Sequence, residues 1–361
     1  MTPSVGSHRL VALLFALLLA IGLWSSAGTV AREVSGYRDF ASLDGLRGFL
    51  ARMNGALRLP FSREINPIAA GIGYRLFGDL GTQVTEGCPE WMFYNDGFHA
   101  TVSGTRAFRQ RLALAKHYVE ELKKTGAFLL VVTVPDKARI ETEALCGLRL
   151  APQISDRLDA WHRALRTMDV AHLDLRGAFV QARPAFFRTD VHWNEEGAHA
   201  AAVAVARAAL PVLNGKGVQE FLITRATSMQ PRIGDLLTLA GLDHAPENWR
   251  PAPDQERPSR IEVIRRGGLL DEPSSPEVMI AGSSSSLRSN FAEWLGYELG
   301  RELWNRSFDG VLFAGSLQAA LRDRERWPHS LHFVIWELPE MSLTLPLTDE
   351  ERKAVAALKQ E

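Results

Sequence analysis

The chain has 361 residues, 46% of them hydrophobic and 23% charged, which is the composition of an ordinary globular protein and excludes a disordered or fibrous one. A formal net charge of -1 offers no basic field for gripping phosphate backbones, so no nucleic-acid partner is expected. Two cysteines are too few for a structural zinc site.

The first element is an export segment. His8 and Arg9 precede the apolar run LVALLFALLLAIGLW (10–24), and the small-residue stretch SSAGTVA follows. The run has the length of a signal-peptide core and falls short of the roughly 20 residues of a spanning helix, although residues 25–31 extend it. Cleavage after Ala27 or Ala31 and retention as a membrane anchor both fit this pattern. A buried core helix fits it poorly, because no polar face interrupts the run. Export places the remainder in an oxidising compartment, where Cys88 and Cys146 are expected to pair, the alternative being two buried thiols that never meet.

Residues 32–86 form a lead-in broken by Pro60 and Pro67. RAFRQRLALAKHYVEELKKTG (106–126) carries apolar residues at helical spacing and ends on Lys123, Lys124 and Gly126, which are helix-stop residues. AFLLVVTV (127–134) reads as a buried strand ended by Pro135. A helix over 152–168 with Ile154, Leu158, Trp161 and Leu165 on one face precedes a strand over 170–175. Residues 194–210 form a helix capped by Asn194, with Glu195 and Glu196 in its first turn. The Pro- and Gly-rich stretch 211–276 reads as an insertion. EVMIAG (277–282) is a strand, 286–300 a helix and LHFVIWEL (331–338) a final buried strand. The main domain thus spans 87–345, with a tail over 346–361. Strands alternating with helices of this length call for a mostly parallel sheet covered on both faces, with chemistry at the strands' carboxyl ends.

Both chemical motifs lie at such ends. TDVHWN places Asp190 and His192 two residues apart, which in an extended segment sends carboxylate and imidazole to the same side. A carboxylate on one ring nitrogen fixes the tautomer and supports the imidazolium, leaving the other nitrogen for a nucleophile. Read alone, the same residues fit a capped turn and an interior histidine. GSSSS (282–286) follows a strand and opens a helix, where free backbone N–H groups hold a developing oxyanion and Gly282 permits a tight turn. Four serines read alone equally fit an N-cap or loop. Together the two segments make a Ser-His-Asp arrangement. No phosphate-loop, dinucleotide or zinc-protease pattern is present, so no cofactor is expected; His199 is too far along an Ala-rich helix to complete a metal site with Asp190 and His192. Cys146 has no basic neighbour in sequence to activate it as a nucleophile.

Seven segments in order resemble the bacterial exopolysaccharide O-acetyltransferases of the AlgJ/AlgX type, a branch of the SGNH-hydrolase superfamily: CPEWMFYNDG, VVTVPDKARI, LDLRGAF, TDVHWN, GDLL, GSSSSLRSNF and VIWELPEM. The resemblance implies an SGNH-like α/β/α sandwich and a triad of Asp190, His192 and Ser284, with Ser286 as the reserve nucleophile. Ser283 and Ser285 stand where the family has Thr and Tyr. The Asp-His segment precedes the serine, opposite to ordinary SGNH esterases, which implies a circularly permuted fold. The Ser284 N–H and Asn290 are candidates for the oxyanion, Lys137 and Arg139 for the site lining, and Trp193, with Trp91 and Trp336, for sugar stacking or core. The implied activity is periplasmic transfer of acetyl groups onto a polysaccharide such as alginate or a cellulose-like polymer. A multispanning membrane acyltransferase would supply the acetyl group, alongside other polysaccharide biosynthesis and export proteins. AlgX-type members add a carbohydrate-binding module; about twenty residues follow VIWEL, too few for one, so the chain looks closer to AlgJ. An acetylesterase with the same triad and a non-catalytic subunit of an acetylation complex are the rival readings.

Overall fold

The computed structural model describes residues 62–265 and 275–358, with isolated helical positions between Leu13 and Val34. Most of the export segment 1–31 and of the lead-in 32–86 lies outside the described residues. Among the described residues, no helix is long and apolar enough to cross a membrane.

Helix α1 (Ser62–Phe77) is followed by a hairpin of β1 (Val84–Glu86) and β2 (Met92–Tyr94), then α2 (Val102–Lys123) and β3 (Phe128–Val134). Helix α3 (Arg157–Thr167) returns the chain to β4 (Ala171–Asp174), and α4 (Arg176–Gln181) and α5 (Glu195–Ala209) follow. Next come β5 (Glu220–Arg225), β6 (Gln230–Arg232), α6 (Asp235–Leu239), β7 (Asp254–Glu256) and β8 (Ser259–Ile264). The last stretch alternates β9 (Val278–Ala281), α7 (Phe291–Leu299), β10 (Leu303–Asn305), α8 (Gly315–Arg322), β11 (Phe333–Pro339) and α9 (Asp349–Ala357).

Five strands form one parallel sheet in the order β10-β9-β11-β3-β4. Counted from β9 this is the 2-1-3-4-5 order of doubly wound sheets, entered at its fourth strand. The chain is therefore a circular permutation of that fold, as the order of its motifs implies. Strand periodicity sorts the core into two layers. Leu130, Val132, Ile280 and Ile335 face α4, α5 and α7, while Val131, Met279, Val334 and Trp336 face α2, α3 and α8. Helix α9 is tied to α2 by the buried pair Arg111–Glu351, 2.8 Å apart.

Boundaries differ from the sequence reading where caps or turns intervene. Helix α2 begins at Val102, because Thr101 accepts the Gly104 N–H and so caps a start four residues before the apolar pattern is evident. The stretch 152–168 is broken at Asp156 into a single turn, Pro152–Ser155, and α3. Within 211–276, β5 pairs with β8 and β6 with β7, both antiparallel. Cys88 and Cys146 form a disulfide that fastens the β1–β2 hairpin to the loop after β3.

Candidate active site

The serine loop leaves the sheet at the carboxyl end of β9. Its conformation is set by the neighbouring strand β11, whose Glu337 carboxylate is fully buried beneath it. Glu337 accepts hydrogen bonds from the Ser283 N–H (2.7 Å), the Ser283 hydroxyl (2.9 Å) and the Ser286 hydroxyl (2.8 Å). A Cβ at Gly282 would lie 2.3 Å from Ser286 Oγ and 2.7 Å from Glu337, so only glycine allows the loop to fold down onto that carboxylate. The chain then makes a 3-10 turn, Ser284–Leu287, not the α-helix expected there. Ser289 and Asn290 adopt left-handed conformations (φ 54° and 57°), and α7 starts only at Phe291. Ser284 is the serine that faces outward.

His192 meets it from the other side of the sheet's end. Its Nε2 lies 2.8 Å from Ser284 Oγ, and its Nδ1 lies 2.7 Å from Asp190 Oδ1. Asp190 Oδ1 also accepts the His192 backbone N–H at 3.0 Å, which locks the two residues into one local turn. This is the geometry in which an imidazole takes a hydroxyl proton while a carboxylate holds its tautomer. The segment is held from behind by the β6–β7 pair, where Arg232 and Asp254 are register partners. Asp254 accepts from the Arg188 N–H, the Thr189 N–H and the Thr189 hydroxyl at 2.9, 2.9 and 2.6 Å, and Arg232 Nη2 donates to Asp190 Oδ2 at 2.9 Å. Gly234 packs so closely on the Thr189 carbonyl that a Cβ would lie 2.1 Å from it. One rung of β-structure thus grips residues 189 and 190 in succession.

The charges are strongly biased. Burial alone would raise the Asp190 carboxyl, but the hydrogen bond and charge of His192, with Arg232 behind, hold it well below the usual carboxylate range. Burial opposes the imidazolium of His192, and Asp190 outweighs it together with Asp235, whose Oδ2 lies 3.3 Å from Nδ1; the His192 pKa is pushed up to about 9. Burial raises the Glu337 carboxyl, and the serine donors offset this in part. Burial pushes Lys137 down to about 7, yet its Nζ donates to the carbonyls of Met92, Arg188 and Asp190 at 2.6, 2.7 and 3.1 Å. Three acceptors require three N–H donors, so the ammonium form is the one that fits.

The line Asp190–His192–Ser284 opens into a cleft of roughly 540 Å³, whose apolar walls include Tyr94, Val191, Leu239, Leu312 and Met341. The other candidates are placed elsewhere. Ser286 points down to Glu337. Asn290 Nδ2 donates to the Ser259 carbonyl at 2.7 Å and does not reach the cleft as an oxyanion donor. Arg139 is held by Glu340 and the Ile154 and Ser155 carbonyls. Trp193 is fully buried against Phe291 and Phe179, and Trp336 is core as well, so neither stacks on a sugar. Lys137 lines the cleft but is enclosed as described. Among the described residues, no protein group accepts the Ser284 N–H. Arg232, Asp235, Asp254 and Glu337 were not singled out in the sequence. Glu337 had a signal, a lone carboxylate inside an apolar strand, and Asp235 lay in the GDLL segment; Arg232 and Asp254 are brought in by tertiary structure alone.

Residues 84–340 match the family described as the SGNH hydrolase-like domain of the acetyltransferase AlgX. The chain belongs to this family. It is 28% identical to a probable alginate O-acetylase AlgJ of Pseudomonas putida, over 95% of this chain and 91% of that one. The solved O-acetyltransferase domain of Pseudomonas putida AlgJ superposes with a TM-score of 0.66 and 26% identity, covering 77% of this chain and 98% of that domain. The structure of Pseudomonas aeruginosa AlgX shares the fold, with a TM-score of 0.54 at 20% identity, over 76% of this chain and 67% of that one. The α/β/α sandwich is therefore of the SGNH type. Membership makes the chain an O-acetyl-transfer enzyme.

Proposed function

We propose that the chain transfers acetyl groups to hydroxyls of an exported polysaccharide in the periplasm, by way of an acetyl-Ser284 intermediate. The observation that carries this reading is the 2.8 Å contact between Ser284 Oγ and His192 Nε2, with Asp190 on the opposite ring nitrogen, at the cleft of an acetyltransferase-family domain. Neutral His192 accepts the Ser284 proton as Oγ attacks the acetyl carbonyl of the donor. The donor's leaving group then departs with that proton, leaving an acetyl ester on Oγ. In the second step His192 takes the proton of a sugar hydroxyl, whose oxygen attacks the ester carbonyl; Ser284 Oγ leaves and recovers the proton. The Ser284 N–H, which no protein group among the described residues accepts, is the candidate donor to the oxygen that becomes negative in both steps. Asp190 steadies the imidazolium throughout, and Arg232 and Asp235 steady Asp190 and His192 in turn.

A membrane acyltransferase that carries acetyl groups across the inner membrane fits as donor, and the relatives' description as alginate O-acetylases supports a polysaccharide as the acceptor class. Incubation with p-nitrophenyl acetate followed by mass spectrometry tests the intermediate. The native chain is expected to gain one acetyl group on the peptide holding Ser284, and S284A none. Undiminished acetylation of S284A rejects Ser284 as the nucleophile.

A further inference from the structure

Lys137 stands in the short helical turn after β3 and is buried. A buried ammonium is stable only where its donors and its charge are matched. Its three N–H groups go to the Met92, Arg188 and Asp190 carbonyls, and the Trp91 and Phe93 ring centroids lie 5.3 and 5.0 Å from Nζ. The charges of Asp254, Asp190 and Glu141 favour the cation against burial. The acceptors belong to two pieces of chain. Met92 lies in β2, whose hairpin is held to the loop after β3 by the Cys88–Cys146 disulfide and by the Cys88 N–H, which donates to the Ala144 carbonyl at 2.7 Å. Arg188 and Asp190 belong to the segment that carries the proposed base, and the Arg188 carbonyl also accepts the Met92 N–H at 3.0 Å. Asp254 takes the N–H groups of Arg188 and Thr189 in the same segment. Residues 188–190 are thus gripped by an anion at their N–H groups and by a cation at their carbonyls.

We infer, resting on the acyl-transfer reading above, that Lys137 is a positioning residue: its ammonium pins the backbone on both sides of Thr189 to the hairpin and so sets where Asp190 and His192 stand against Ser284. Lysine suits this task, because the three carbonyls converge on a single nitrogen, whereas a guanidinium spreads its donors over three. Lys137 acts through the backbone it holds, so its loss is expected in the rate of the chemical step and not in the binding of the donor. A displacement of about 1 Å in a reacting group can cost about 10²-fold in rate.

Cleavage of p-nitrophenyl acetate, measured below the melting transition of each variant, tests this. K137M keeps the length and apolar stem of the side chain without its donors and is expected to lower kcat by about 10–100-fold, with KM within about threefold of native. K137A opens the ammonium pocket to solutes from the cleft that Lys137 lines, and propylammonium is expected to raise its kcat by at least about tenfold. Tetramethylammonium, a cation without N–H donors, and butanol, which fills the space without charge, are expected to leave it unchanged. If K137M does not fold, K137A prepared in propylammonium decides alone. A native kcat in K137M, a loss carried by KM, or a K137A unmoved by propylammonium or equally served by butanol overturns the inference. These outcomes leave the acyl-transfer reading untouched, which falls separately if the native chain places no acetyl group on Ser284.

Discussion

Ser284 and His192 meet at 2.8 Å, but they come from differently built parts of the molecule. Each rests on a buried carboxylate that accepts nearby backbone and hydroxyl protons, Glu337 beneath the serine loop and Asp254 beneath residues 188 and 189. Glu337 belongs to a central strand of the sheet, meets only neutral donors, and is pushed by burial toward its protonated form. Asp254 sits in a peripheral β-pair amid cations, with Arg188 3.6 Å away and Arg232 opposite it in register. The proposed nucleophile needs position, which a rigid strand end supplies. The proposed base, His192, would carry a positive charge during the reaction, and its supports are ions.

The largest effects should fall where the halves touch. H192A and S284A are each expected to lower acetyl transfer by about 10⁴-fold or more, and the double variant scarcely further, because members of a triad fail as a unit. Thermal melting of both should stay near that of the native chain. A double variant much slower than either single one would break the picture of one joint device. On the serine side, E337L strands three donors in the core and is expected to cost about 2–4 kcal/mol in denaturant unfolding, with transfer lost as the loop relaxes. E337Q retains an acceptor for the Ser283 N–H and Ser286 hydroxyl and should stay within about 1 kcal/mol of native. If E337Q and E337L behave alike, the carboxyl's hydrogen bonds are not what holds the loop. On the base side, D254A removes the acceptor for the Arg188 N–H and for the Thr189 N–H and hydroxyl, so a loss of about 2–3 kcal/mol is expected, with kcat falling more than KM rises.

These contacts also mark what a sequence can and cannot show. The apolar runs 127–134 and 331–338 announced the central strands because both faces of a doubly covered sheet are dry. Asp190 and His192 announced themselves by spacing. Strand β10 did not, since Leu303, Trp304 and Asn305 are too few to display a period. The helix read over 286–300 was right in its apolar face and wrong at its start, because two left-handed residues, Ser289 and Asn290, separate the 3-10 turn from α7. Trp193, next to His192, fitted either a stacking platform or the core, and the backbone sends its ring inward to Phe291. Arg232 lies more than forty residues from Asp190 in sequence and carried no local pattern, while Asp235 lay in the GDLL segment without being marked there as a site residue. The β6–β7 pairing delivers Arg232, and Asp235 follows it at the start of α6.

Asp235 offers the smallest effect and the finest test of the ionic half. His192 must be neutral to accept a proton, so transfer should rise with pH through its raised pKa of about 9. Asp190 and Asp235 both raise that pKa, and D235N removes one of them while sparing the hydrogen bond that His192 Nδ1–H donates to Asp190. The midpoint of the pH-rate profile should therefore move to lower pH, with the plateau rate changed by less than about threefold. The stability consequence has a definite sign. A histidine raised in the folded state stabilises fully below the unfolded value near 6.5, and this contribution is lost as pH rises toward about 9. D235N should accordingly unfold more easily than the native chain at pH 6, and the difference should shrink as pH rises past 9. A profile whose midpoint stays put would mean that Asp235, half-exposed at the cleft mouth, is screened by water from the imidazole it faces.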